Sequence, residues 1–262
     1  MILVRDVIDY LENLAPTALA ASWDNVGLLM GDADRPVQRV MTCLTLTDET
    51  VEEARDQDAQ LVVTHHPLPF RPLAKITADT VPGRLVWKLA AGQISVYSAH
   101  TAFDSAKRGI NQRLAEGLDL VRVRPLQPAD DDESIGTGRV GEYEQPISLG
   151  DLASRLKQFL ELTQLDLVGQ TDRAVARVAI GCGAADEFLK DAVEHACDAL
   201  ILGEARFHTA LAAQAHQLGL LLPGHFASER FAMDRLACEL GVVFPDLTIW
   251  CAERERDPLR RI

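Results

Sequence analysis

Short apolar runs alternate with amphipathic helical stretches along most of this 262-residue chain. "VQRVMTCLTL" (37–46), "LVVT" (61–64), "ISVYSA" (94–99) and "LVRVRPL" (120–126) read as strands. "DETVEEARDQDA" (48–59), "GRLVWKLAA" (83–91) and "GINQRLAEGL" (109–118) read as the helices between them. Ahead of these, "VRDVIDYLENL" (4–14) places Val4, Val7, Ile8, Leu11 and Leu14 on one face, and Pro16 closes it. Strand and helix in turn, with short connections, predict an α/β fold with a largely parallel sheet.

The second half repeats the scheme. "VQRVMTCLTLTDETVEEARDQDAQLVVTH" and "VARVAIGCGAADEFLKDAVEHACDALILGE" share V-x-R-V and an Asp-Glu helix opening. After a one-residue slip, Leu61-Val62-Val63 matches Leu200-Ile201-Leu202, which sets Glu204 opposite His65. A duplication predicts two similar α/β layers rather than one continuous sheet. Between the halves, "QPADDDESIGTG" (127–138) is acidic, rich in turn formers and free of apolar periodicity, so it reads as an exposed loop or linker. It runs into Gly136-Thr137-Gly138-Arg139-Val140-Gly141, a literal G-x-G-x-x-G. A dinucleotide fingerprint needs a strand before it and a helix after it; here an acidic loop precedes and the strand-like "RVGEYE" follows, so a glycine turn is the better account.

Asp+Glu 39 against Lys+Arg 26 gives a net charge of −13, which disfavours nucleic acid as a partner. Cys43, Cys182, Cys197, Cys238 and Cys251 are odd in number and form no C-x-x-C, so a disulfide framework and a thiolate zinc site are both disfavoured. Cys182, at an apparent strand end, reads as a small buried apolar residue rather than a nucleophile. Arg5 and Asp6 interrupt the opening apolar run, and no stretch approaches the roughly 20 apolar residues of a membrane span. The expectation is a soluble, cytoplasmic protein with no membrane partner.

Ligand-type residues gather at three strand-to-helix junctions. His65 and His66 follow "LVVT" directly, with Pro67 ending the pairing. His100 and Asp104 follow "ISVYSA", and His225 and Glu229 lie four apart at a helix start after "LLLPG". Strand carboxyl ends are where open α/β sheets bind ligands. Singly, a His-His pair or a His/Glu pair reads as incidental; three such junctions together suggest a site for two divalent ions. Adjacent side chains at a strand end diverge, so His65 and His66 suit one ion each. Imidazoles and carboxylates without thiolates favour Zn, Mn, Fe, Co or Ni. Two ions roughly 3.5–4 Å apart would clamp a substrate oxygen and activate a water between them. Residues 65–104 and 225–229 must then meet. This predicts a discontinuous metal-binding domain, 1–126 plus 225–262, with 127–224 as a second α/β domain inserted into the first.

"SWDNVGLLMGD" (22–32), "THHPLPF" (64–70), "HTAFDSAKRGIN" (100–111), "GTGRVGE" (136–142) and "GEARFHTALAAQAHQLGLLLPGHFASER" (203–230) occur in order. Together they resemble the Nif-three-like dinuclear metal-centre family, whose members carry the name GTP cyclohydrolase 1 type 2 homologue. The resemblance implies His65, His66, Asp104, His225 and Glu229 as ligands of two metals. It also implies a toroidal homohexamer of two interlinked α/β domains, and GTP, opened at its purine ring, as a substrate. Ala102, where the family carries Asn, Arg108-Gly109, where it carries a glycine pair, and Phe207, where many members carry histidine, depart from its pattern.

His100 is a candidate general acid/base beside the metals, or a structural hydrogen-bonding group. His208 faces a pocket or solvent. Arg139 meets a phosphate or lies on the surface. Trp23-Asp24-Asn25 reads as a turn, with Asp24 available to orient a metal-bound histidine. His195 and His216 read as solvated. No P-loop is present. Three functional classes follow: a metal-dependent hydrolase acting on a nucleotide-like substrate, a non-catalytic metal-binding hexameric scaffold, or metals that staple distant parts of the chain.

Overall fold

The computed structural model describes residues 1–129 and 132–260. Asp130 and Asp131, within the acidic stretch read as a loop, lie outside the described residues. The chain divides into two units: Met1–Phe103 with the segment from Ala232 onward, and Asp104–Phe231. Each has its own sheet, and the α/β class is as expected from the alternation.

In the first unit the strand order is Gly27–Met30, Ser95–Ser98, Leu61–Thr64, Arg39–Cys43, Thr248–Cys251. All neighbours are parallel except the Gly27–Met30 edge. Leu61–Thr64 sits in the middle and is buried throughout, which is why it reads as an unbroken apolar run rather than an alternating one. Met41, Val51, Val62, Leu85, Leu89 and Val96 pack into one core cluster. Truncating a side chain such as Leu89 to Ala would cost about 2–5 kcal/mol. Helix Val4–Leu14 buries Val4, Val7, Leu11 and Leu14, the stripe its spacing predicts except for Ile8, which is only half-buried. Helix Asp48–Asp56 starts at Thr47, whose hydroxyl accepts from the Thr50 amide.

In the second unit the order is Val121–Arg124, Arg139–Ser148, Ala174–Ala184, Ala199–Glu204, Gly219–Leu222, Asp166–Val168. The central three pairings include two parallel ones, Ala174–Ala184 with Ala199–Glu204 and Ala199–Glu204 with Gly219–Leu222. Both faces are covered. Val178, Ile180 and Ile201 enter a cluster with Leu149, Leu152 and Leu156; Ala179, Leu200 and Leu202 enter another with Phe188 and Leu218. Gly136–Thr137 pairs with Gln127–Pro128, and Arg139–Ser148 is a strand, so the G-x-G-x-x-G opens no helix. Among the described residues no helix is long and apolar enough to cross a membrane.

The repeat is present down to individual hydrogen bonds. Val40 pairs with Leu61, and Val178 with Ala199, each partner 138 positions further on. Gln60 Oε1 accepts from the amides of Gln38 and Arg39, both at 2.9 Å. At the same offset Asp198 Oδ2 accepts from the amides of Ala176 and Arg177, both at 2.9 Å. Asp58 and Ala196, again at that offset, both hold φ at +51° in the turn that enters the second strand. No slip is needed. Matching "LVV" to "LIL" on apolar likeness shifted the sequence alignment by one; the ladder register makes Glu204 the counterpart of His66, not of His65.

Candidate metal centre

In the first unit the sheet delivers three imidazoles to one place. The Leu61–Thr64 strand runs out at His65 and His66, whose amides still donate to Cys43 O (3.1 Å) and Leu44 O (2.8 Å). The neighbouring parallel strand ends at Ser98, whose hydroxyl donates to His65 O at 2.6 Å, and His100 opens the next helix. His65, His66 and His100 each offer one ring nitrogen, and these atoms all lie within 4.8 Å of one another. The ring centroids of His65 stand 5.1 Å from both His66 and His100. The two adjacent histidines therefore converge with His100, where divergence was expected.

Two of the rings are held at Nδ1. His66 Nδ1 lies 2.7 Å from the Thr45 hydroxyl. His100 Nδ1 lies 2.7 Å from Asp24 Oδ1. The other Asp24 oxygen accepts from the Thr101 amide (3.1 Å) and hydroxyl (2.5 Å). These contacts hold His100 at φ +31°, a left-handed conformation that a non-glycine residue rarely adopts. Burial works against the Asp24 charge, but the hydrogen bonds from His100 and Thr101 outweigh it and bring its pKa down to about 2. With Nδ1 engaged, Nε2 is the nitrogen that each of these rings presents. Imidazole nitrogens gathered in one place, two of the rings so oriented, suit a borderline divalent ion. "WDN" is thus more than a turn: Asp24 orients His100, Asn25 Nδ2 donates to Pro69 O at 2.7 Å, and the exposed Trp23 ring meets His100 edge-on at 6.1 Å.

The second unit assembles carboxylates around another imidazole. His225 and Glu229 sit one turn apart on helix His225–Val243, with His225 Nε2 3.2 Å from Glu229 Oε2. His225 Nδ1 lies 3.0 Å from Glu204 Oε1. The hydrogen bond to Glu229, aided by both carboxylate charges and opposed by burial, raises the His225 pKa to about 9. A pair of carboxylates that holds a proton on an imidazole also suits a divalent cation in its place. Asp104 lies in the same unit, where Oδ1 accepts from the Cys182 thiol at 3.1 Å. Asn111 bridges the Asp104 carbonyl and the Cys182 amide. Burial, with the Asp104 and Glu229 charges, pushes the Cys182 thiol well above its ordinary range. That makes it a poor nucleophile, in keeping with its reading as a small buried residue, though carboxylates rather than apolar groups stand beside the thiol. Gly183, at φ +63°, keeps clear the space that the Glu229 carboxylate fills; a Cβ there would collide with Glu229 Oε1.

Arg139 is neither a phosphate ligand nor a surface residue. It is 1% exposed, and its donors go to Gln112 Oε1 and to the carbonyls of Gly136, Gly138, Ser105 and Ala106. It thereby ties the glycine turn to the end of the segment that carries Asp104. His208 and His216 are exposed. His195 is half-buried and bonded to Leu126 O at 3.0 Å, not simply solvated. Thr45, which holds His66, escaped the sequence reading because a threonine in "CLTLT" carries no local mark of such a role.

Residues 2–258 match the family model for Duf34/NIF3 (NGG1p interacting factor 3). The chain is 37% identical over 231 residues to the "GTP cyclohydrolase 1 type 2 homolog" of Streptomyces coelicolor, covering 86% of this chain and 81% of that one. It is 33% identical over 226 residues to the protein of that name in Clostridium perfringens, covering 86% of each. A Bacillus cereus protein related to NIF3 has the same fold, with a TM-score of 0.92 over 100% of this chain and 99% of that one, at 22% identity. Match and likeness extend across both units: this chain belongs to the Duf34/NIF3 family.

Proposed function

We propose that this chain is a metal-dependent hydrolase that holds two divalent ions on His65, His66, Asp104, His225 and Glu229. The observation that carries the reading is the convergence of the two proposed ligands His65 and His66, with His100 beside them as the acid/base candidate: one ring nitrogen from each lies inside 4.8 Å. Unsupported, three imidazoles at a strand end would be a costly way to fill a core. The Glu204–His225–Glu229 grouping supports it independently, since it concentrates negative charge on a ligand-type nitrogen.

Divalent ions, when bound, lower the pKa of water and polarise the oxygen of a substrate. The chain's own contribution is orientation and proton handling. Asp24 keeps His100 Nδ1 engaged, so His100 Nε2 is placed to take or return a proton, and we assign His100 as the general acid/base. Glu229 and Glu204 fix His225 from opposite ring nitrogens. The relatives' name directs the choice of substrate to a nucleotide-like compound, with hydrolytic opening of a purine ring as the first reaction to assay. We also propose a homohexamer, on the family resemblance of the sequence motifs alone.

Metal content per chain, measured by mass spectrometry on protein purified without a metal-affinity tag, tests the reading. About two ions per chain, falling well below one when His65, His66 and Glu229 are replaced by Ala, is expected, with GTP as the first compound in a turnover screen. Metal near zero in the unaltered protein would overturn the site. Metal without turnover, in an assembly that survives chelation, would move the assignment to a non-catalytic scaffold.

A further inference from the structure

A segment beyond the first unit's last strand reaches a proposed ligand of this site. Beyond the Thr248–Cys251 strand, residues 252–256 run as a strap fastened by two buried glutamates. Glu53 accepts from the amides of Glu253 (2.8 Å) and Arg254 (2.7 Å) and from the Trp250 indole (3.1 Å). Glu255 reaches the other way. Its Oε2 accepts from the Leu44 amide at 3.0 Å and its Oε1 from the Thr45 amide at 2.6 Å. Glu255 is 5% exposed, in a tail sequence, "AERERD", that reads as solvated.

Those two amides belong to the residues that hold His66. The Leu44 carbonyl accepts from the His66 amide at 2.8 Å and from the Thr64 hydroxyl at 3.1 Å. The Thr45 hydroxyl lies 2.7 Å from His66 Nδ1. A buried carboxylate with both oxygens on consecutive backbone amides fixes the backbone more firmly than neutral acceptors would, because such charge-assisted bonds are about twice as strong. The Thr45 hydroxyl can sit at hydrogen-bond distance from the ring only while that backbone stays in place.

We propose that Glu255 is a positioning residue for the His66 imidazole, acting through Leu44 and Thr45 to keep Nδ1–H on the Thr45 hydroxyl and so make Nε2 the nitrogen that would bind a divalent ion. The proposal rests on the metal-binding reading above only in its last clause. Asp24 plays the same part for His100, so two rings of the trio are braced from opposite ends of the sequence.

The experiment has two arms. In metal-free protein carrying 15N-labelled histidine, the ring shifts of His66 report its tautomer whether or not any ion binds. The unaltered protein and Thr45→Ser should show Nδ1–H; Thr45→Val and Glu255→Gln should show a mixture of tautomers. In competition with a chelator, the Zn2+ affinity of Thr45→Val and Glu255→Gln should fall about tenfold, the usual loss when a ligand's hydrogen-bond partner is removed. Thr45→Ser should restore it, and the double variant should be no weaker than the worse single one, since both act in series. A His66 tautomer unchanged in Glu255→Gln overturns the proposal. So does a Zn2+ affinity unchanged in both variants while their thermal midpoints fall, which would leave Glu255 with stability alone. If Glu255→Gln does not fold, Glu255→Asp, whose shorter side chain cannot reach both amides, takes its place in both arms with the same expected and overturning results. Absence of Zn2+ binding in the unaltered protein would instead sink the functional reading, and the tautomer arm would still decide the positioning role.

Discussion

Asp24 Oδ1 lies 2.7 Å from His100 Nδ1, and the same carboxylate takes the amide and the hydroxyl of Thr101. Its pKa of about 2, against an ordinary 3.8, is a statement about stability. At about 1.4 kcal/mol per unit, the charged Asp24 contributes about 2 kcal/mol at neutral pH. Because the folded value is the lower one, this contribution is complete above about pH 5 and is lost as the pH falls through 3.8 toward 2. Asp24→Asn should therefore unfold in less urea than the unaltered chain at pH 7, by a margin that holds to pH 5 and narrows below pH 4. A margin that widens on acidification would refute the assignment.

Gln60 and Asp198 perform one task in the two units. Each closes the amides of two residues at the start of the preceding strand. Gln60→Ala and Asp198→Ala should each cost about 1–3 kcal/mol, since an amide pair loses its acceptor. The two losses should add in the double variant because the residues share no partner. Equilibrium denaturation of the four proteins checks this, and a double variant no worse than either single one would contradict it.

The repeat also shows how far the sequence could be read. Periodicity located helix Val4–Leu14 and the all-buried Leu61–Thr64 strand because burial on one face, or on both, leaves a local apolar signature. The clustering of His65, His66 and His100 follows from strand ends that parallel pairing brings side by side, which spacing along the chain already hints at. Register was misjudged by one, because similar apolar triplets fit either alignment while hydrogen bonds fit only one. Arg139, Glu53 and Glu255 look like solvated charges in the sequence. They are buried because each also meets backbone groups far away in the chain (Ser105 and Ala106 for Arg139, Glu253 and Arg254 for Glu53, Leu44 and Thr45 for Glu255), and no local pattern records a distant carbonyl or amide.

Arg139 makes the strongest stability prediction. Its guanidinium satisfies four carbonyls and one side-chain oxygen in a buried setting. Arg139→Ala removes every one of these hydrogen bonds from a buried setting and opens a cavity, so a loss on the order of 3–5 kcal/mol is expected. Arg139→Lys retains the charge, but three donors cannot reproduce a planar five-donor fork, so most of the loss should remain. Chemical denaturation measures both; a lysine variant as stable as the unaltered protein would show that charge rather than geometry matters there.

Gly183→Ala probes the candidate metal centre without replacing a proposed ligand. The residue holds φ at +63°, and an added Cβ would run into the Glu229 carboxylate. The backbone penalty alone is about 1–2 kcal/mol. The larger consequence is geometric: Glu229 must swing away, and the 3.2 Å contact with His225 Nε2 must break. Zn2+ affinity should therefore fall at least about tenfold, approaching that of Glu229→Gln, while Glu204 still holds His225 from Nδ1. Thermal midpoints and chelator competition on the two variants separate the effects. A Gly183→Ala protein that is less stable yet binds Zn2+ like the unaltered chain would show that Glu229 can find its place by another route, and that the glycine serves the turn alone.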